Sequence, residues 1–295
     1  MSRRKNFNIY SHYTYYIPGV GGMFGLILWL LVGSLLGAVV MALFRLVMNP
    51  EAAMEYGMLV SYPLQFIPAM MYASSQSRSR CISNPGVNLD SNHFGKGGGL
   101  VAALVVAVAT FAAGYCSDAL TEFLPQMPES LKATLEAMTE GPLWLNLICV
   151  AVFAPFFEEW LCRGMVLRGL LHRGMKPVWA IVLSAVFFAV IHANPWQAVP
   201  AFIVGMLLGY VYFKTGSLKL TMLMHCVNNA MAVLLSHIDK FEDAETWADV
   251  LSPQAFWLVF AACIIVLGLT VLKFSRIPLE EPEGNQDKVP ALFEQ

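Results

Sequence analysis

Glu158 and Glu159 stand side by side in an otherwise apolar stretch, five and four residues ahead of Arg163. His192 closes a second apolar stretch, four residues after Phe188, and His225 and Asn229 lie four apart inside a third. An ionised side chain at mid-membrane costs on the order of 3 kcal/mol on insertion scales, so charges in such surroundings need a use. On a helix, Glu159 and Arg163 share a face and pair in the favoured Glu-before-Arg order. Glu158 points about 100° away and lacks that partner. One carboxylate is then neutralised by a guanidinium and the other is left to work as a base. His225 and Asn229 also share a face.

Such a set supports hydrolysis. A carboxylate and an imidazole can hold and deprotonate a water, while a second imidazole and an amide can donate to the oxyanion of a tetrahedral intermediate. Zinc is the competing use, because two His and one Glu form a catalytic ligand set; H-E-x-x-H is absent, and the residues alone leave both uses open. No G-x-S-x-G points to a serine nucleophile. Each group also has a packing explanation: a satisfied buried His, a helix-stabilising Glu–Arg pair, an interhelical His/Asn bond. Together the groups fall on three neighbouring helices, and coincidence explains that poorly.

The elements that must position them are membrane spans. Of 295 residues, 57% are hydrophobic and 13% charged, with a mean hydropathy of +0.60. That balance excludes a disordered chain, a coiled coil and a nucleic-acid module. The expected fold is all-α, a polytopic transmembrane bundle of about eight spans: 23–44, 57–73, 98–115, 143–161, 178–193, 197–213, 218–236 and 254–272. The second is the weakest, interrupted by Pro63, Gln65 and Pro68. With the N-terminus inside, 15 of the 18 basic residues fall on inner segments and only Arg45, Lys132 and Lys240 on outer ones. The positive-inside rule then puts both termini in the cytoplasm.

The chain divides into a cytoplasmic segment 1–22, spans one to three over 23–141, and a catalytic core of spans four to seven over 142–237. An outer loop with span eight follows over 238–276, then an acidic, disordered cytoplasmic tail over 277–295. The outer stretch 118–141 is expected to hold a short interfacial helix. Gly33 and Gly37 form a small-residue packing face. The six cysteines lie far apart, mostly in apolar runs, and read as buried free thiols. A hairpin turning at Gly174-Met175 would bring Glu158 and His192 to one level, each roughly 25 Å from the turn.

E-E-x-x-x-R over 158–163, F-x-x-x-H over 188–192 and H-x-x-x-N over 225–229 resemble, in order and spacing, the three motifs of the CPBP family. That family (CAAX proteases and bacteriocin-processing enzymes, also called Abi) includes the type II CAAX prenyl endopeptidases. The resemblance covers 143–236 and implies an eight-span intramembrane endopeptidase. It implies that Glu158 and His192 activate water and that His225 and Asn229 stabilise the oxyanion, with Glu159, Arg163 and Phe188 in support. No cofactor is favoured; if the enzyme were zinc-dependent, Glu158, His192 and His225 would be the ligands. The expected partners are the bilayer and a membrane-associated protein or peptide, prenylated on Cys in eukaryotic members and of other kinds in bacterial ones, with no nucleic acid. Two alternatives stand beside it: a non-proteolytic bacteriocin-immunity or membrane assembly protein, against which the intact motifs argue, and a proton-coupled transporter, disfavoured by the absence of an internal repeat.

Overall fold

A computed structural model describes residues 9–139, 141–238 and 246–279. The acidic tail from 280 onward, the N-terminal residues 1–8 and the acidic outer residues 239–245 lie outside the described residues. Among those described there is no strand. The helices are α1 (Val20–Val47), α2 (Pro50–Arg80), α3 (Gly98–Thr121), α4 (Glu129–Thr139), α5 (Leu143–His172), α6 (Pro177–Val190), α7 (Pro195–Thr215), α8 (Leu218–Leu235), the single turn α9 (Trp247–Val250) and α10 (Pro253–Ser275).

Local sequence sets their ends. Asn49, Asn194 and Ser252 each accept from the backbone N–H three residues on, and each is followed by proline. Such a cap satisfies an orphan donor while proline at the first helical position lacks one anyway. The α5–α6 and α7–α8 connections turn at Gly174 (φ 82°) and Gly216 (φ 62°), left-handed positions that glycine occupies without strain.

Each of the eight expected spans falls on a helix, but the fifth, expected over 178–193, ends early at Val190 and leaves His192 outside it. Six of these helices, α1, α3, α5, α7, α8 and α10, are long and apolar enough to cross a membrane on that ground alone. The other two differ for separate reasons. α2 has 31 residues but its apolar stretch is interrupted by Pro63, Gln65 and Pro68, whereas α6 has 14 residues and is only about 21 Å long. The flanks of α1 and α10 expose Leu28, Leu31, Leu35, Leu258, Ile265 and Leu269, surfaces suited to lipid and not to water. The protein is an integral multi-pass membrane protein.

α1 and α2 form a hairpin through small residues. A Cβ on Gly33 would overlap the Gln65 backbone carbonyl, and one on Gly37 would come 3.1 Å from that of Ser61. The Gly33/Gly37 face is therefore used inside the chain. Four cysteines are buried, Cys226 is half-buried and Cys81 is exposed, all as free thiols. The short helix expected within 118–141 is present as α4.

One end of the bundle is closed by chain lying outside the spans. Arg168, counted from sequence among the cytoplasmic charges, is 2% exposed. Its guanidinium donates to the carbonyls of Gly164 (2.7 Å), Val87 (2.8 Å), Tyr16 (2.6 Å) and Tyr13 (3.4 Å). Tyr16, Leu89 and Trp160 are buried in the same core. A buried cation is tolerable when its donors are satisfied in this way.

Candidate active site

The helix that carries both glutamates is not a regular α-helix. Between Leu143 and His172 it contains two π-helical stretches, Leu147–Phe153 and Trp160–Leu167, on either side of Ala154–Glu159. Pro155 has no N–H to give to the preceding turn, which favours a widened backbone there. Widened turns of this kind recur at functional positions. Here they re-aim the side chains on both sides of Glu158 and Glu159.

Glu159 and Arg163 are both fully buried, with Oε1 and Nη1 2.6 Å apart. Arg163 also donates from Nη2 to the Gly205 carbonyl at 3.0 Å and lies 4.7 Å above the Phe188 ring. Gly205 allows this: a Cβ there would come 3.3 Å from Nη2 and 3.2 Å from Phe188. The same Glu159 oxygen receives His225 Nδ1 at 3.1 Å. A carboxylate oxygen only accepts, so Nδ1 carries the hydrogen and Nε2 is the nitrogen left for chemistry.

That Nε2 lies 3.9 Å from Glu158 Oε2. Glu158 Oε2 is buried without a hydrogen-bond partner among the described residues, while Glu158 Oε1 accepts a short hydrogen bond from the Tyr62 hydroxyl of α2. Tyr62 is a residue that sequence reasoning missed. A tyrosine in an apolar helix reads as packing, and its partner is 96 residues away; its one visible signal was its place beside Pro63, a proline inside the helix.

His192 follows the end of α6. Its Nδ1 lies 2.8 Å from the Phe188 carbonyl, an acceptor, so Nε2 is again the free nitrogen. Phe188 packs edge-on against both imidazoles, with centroids 5.0 Å from His192 and 5.3 Å from His225. Asn229 gives one amide N–H to the Val150 carbonyl at 2.8 Å, and its Oδ1 accepts from Asn228 at 3.2 Å. It thus spans from α8 to the first π-helical stretch, with a second amide hydrogen to give.

The structure therefore brings Glu158, Glu159, Arg163, Phe188 and His225 into one contact network. His192 joins through Phe188, and Asn229 sits one turn beyond His225. For zinc, among the described residues no three His, Cys, Asp or Glu side chains converge as a ligand set. The Nδ1 atoms of both imidazoles face acceptors within the chain. That leaves Nε2 of each imidazole free, as a base, a hydrogen-bond donor or a metal ligand would alike require, and no step below passes through a metal.

Comparison with known proteins adds one finding. Residues 140–231 match the family described as type II CAAX prenyl endopeptidase Rce1-like. No curated protein and no solved structure matches the chain. The matched stretch begins just before α5, ends within α8, and contains all seven motif residues discussed above. The match supports a type II CAAX prenyl endopeptidase assignment for these four helices, which make up about a third of the chain.

Proposed function

We propose that this protein is an intramembrane endopeptidase that hydrolyses a peptide bond of a membrane-associated protein or peptide, with Glu158 as general base. The observation that carries the reading is the pairing of Glu158 Oε2, buried and unpartnered, with His225 Nε2 at 3.9 Å. A water about 2.8 Å from each would sit about 2 Å off the line joining them. It would donate one hydrogen to each atom, leaving a lone pair for the scissile carbonyl. Glu158 takes the proton and returns it to the departing amine, as the balance of peptide hydrolysis requires.

Tyr62 holds the other oxygen of Glu158 and fixes the carboxylate plane. The resemblance gives His192, whose Nε2 is free, to the activation of water. Asn229 donates its second N–H to the oxyanion. The resemblance also gave His225 to the oxyanion; its closeness to Glu158 favours the water side, and it can serve the oxyanion only once Nε2 carries a proton. Glu159 and Arg163 hold His225 and do not touch the reacting atoms. No metal is required by this scheme.

The test is cleavage of a membrane-anchored reporter peptide by purified protein, read by mass spectrometry. Glu158→Gln cannot take the proton and should lose about 10²-fold or more in rate, within the range of general-base contributions. Wild-type turnover by Glu158→Gln would end the assignment.

A further inference from the structure

The route into the site is set by how far α6 reaches. Packing of Ile181 on Gly209 and of Ala185 on Gly205 fixes the antiparallel register of α6 and α7. In that register Val190, the last residue of α6, lies level with Pro200. α6 therefore stops five residues, about 8 Å, short of the level at which α7 begins. The gap is bridged by non-helical chain, residues 191–194, which carries His192.

Non-helical backbone at membrane depth persists only where protein buries it or water lines it. Protein does not bury this segment: Ala193 and Pro195 are exposed, and His192 and Asn194 are half-buried. Ala193 (φ 59°) is also the single non-glycine residue at positive φ among the described residues. A left-handed alanine costs roughly 1–2 kcal/mol and is held only by its surroundings.

The two ends of the bundle carry opposite charge. The end reached by 191–194 is tied together by Trp196 Nε1 donating to the Pro125 carbonyl (2.8 Å) and Trp247 N donating to Asp118 (2.9 Å). Its acidic residues are Glu51, Glu55, Asp118, Glu122, Glu129 and Asp249, against Arg45 and Lys132. The opposite end carries Arg80, Lys96, Arg173, Lys176, Lys214 and Arg276, with Asp90 as its one carboxylate among the described residues. Basic ends face the cytoplasm. That basic end is also the closed one, filled by the carbonyl cage of Arg168.

We infer that the site opens through the unwound connection 191–194 to the acidic, non-cytoplasmic face, and that the peptide it cleaves is presented on that face. The second clause rests on the proposed function; the first does not. A tail lying in the cytoplasm would have to pass the Arg168 cage to reach Glu158, whereas a segment exported to, or anchored in, the outer leaflet meets His192 directly.

The test is labelling of sealed, right-side-out cells with a membrane-impermeant maleimide. Ala193→Cys is placed in a Cys81→Ser background, with Pro195→Cys as a second, equally exposed position should the first not fold. Wild-type Cys81, exposed at the basic end, reports the other face in parallel. Positions 193 and 195 should label with cells intact, and Cys81 only after permeabilisation. Labelling of 193 and 195 only after permeabilisation, their failure to label under either condition, or labelling of Cys81 from outside overturns the inference. Reporter peptide supplied to either face of oriented vesicles separates the two readings. Cleavage only from the cytoplasmic face keeps the protease and removes outside access, whereas outside labelling without any cleavage keeps the access and removes the protease.

Discussion

Arg163→Met removes the guanidinium 2.6 Å from Glu159 and leaves a long apolar side chain in its volume. Both partners are fully buried, so solvent cannot take over the lost charge. Breaking such a pair from one side costs about 3–5 kcal/mol, because the remaining carboxylate is left uncompensated. The Gly205 carbonyl also loses its donor at 3.0 Å, adding about 1 kcal/mol. At about 2–4 °C per kcal/mol, the unfolding midpoint in detergent should fall by roughly 10–20 °C. The decisive comparison is the double variant Glu159→Gln/Arg163→Met, which removes both charges while Gln can still accept from His225. It should melt well above Arg163→Met alone, since the penalty lies in the orphaned carboxylate and not in the missing arginine. The measurement is thermal unfolding followed by tryptophan fluorescence or size-exclusion survival. A single variant that melts with the wild type, or a double variant that melts no higher than the single, refutes the reasoning.

Tyr62→Phe deletes the hydroxyl that holds Glu158; loss of one hydrogen bond to a charged group costs about 1.5–3 kcal/mol, which should lower the melting temperature by about 3–12 °C on the scale above, and kcat should fall as the base loses its fixed orientation. Asn229→Ala should lower kcat by about 10²–10³ with KM little changed, as expected for an oxyanion donor, and a loss confined to KM would remove that role. Elemental analysis should find far less than one zinc per chain, and activity should survive thorough chelation. Stoichiometric zinc lost and regained together with activity would instead show a Lewis-acid mechanism.

Much of the site was legible because its residues are costly where they stand. Glu158, Glu159, Arg163, His192, His225 and Asn229 each interrupt an apolar run, and i,i+4 spacing already joined Glu159 to Arg163. What spacing cannot supply is distance between helices. The approach of His225 to Glu158, and its bond to Glu159 across 66 residues, came only with the packing of α8 on α5. Tyr62 escaped notice because an aromatic residue in a span carries no penalty to draw attention. The burial of Arg168 was missed for the opposite reason: at the end of a span a basic residue reads as solvated, and only the fold shows four carbonyls gathered around it. The two π-helical stretches leave no periodic signal over so few residues, apart from Pro155.

The cage around Arg168 bears on where the chain can be trimmed. The residues ahead of α1 look like a dispensable leader, polar and aromatic, before the first apolar run. Yet Tyr13 and Tyr16 supply two of the four carbonyls that hold Arg168, and Ile17 supplies the acceptor for Arg173 at 2.9 Å. A chain shortened to begin at Pro18 would keep every span and every motif residue. It would also leave a buried guanidinium with Gly164 and Val87 alone, eight residues below Trp160 on the helix that carries both glutamates. Expression trials that pare the termini back to the hydrophobic segments would therefore discard part of the scaffold under the site, and a purification tag is better fused ahead of Tyr10 than in place of the residues after it.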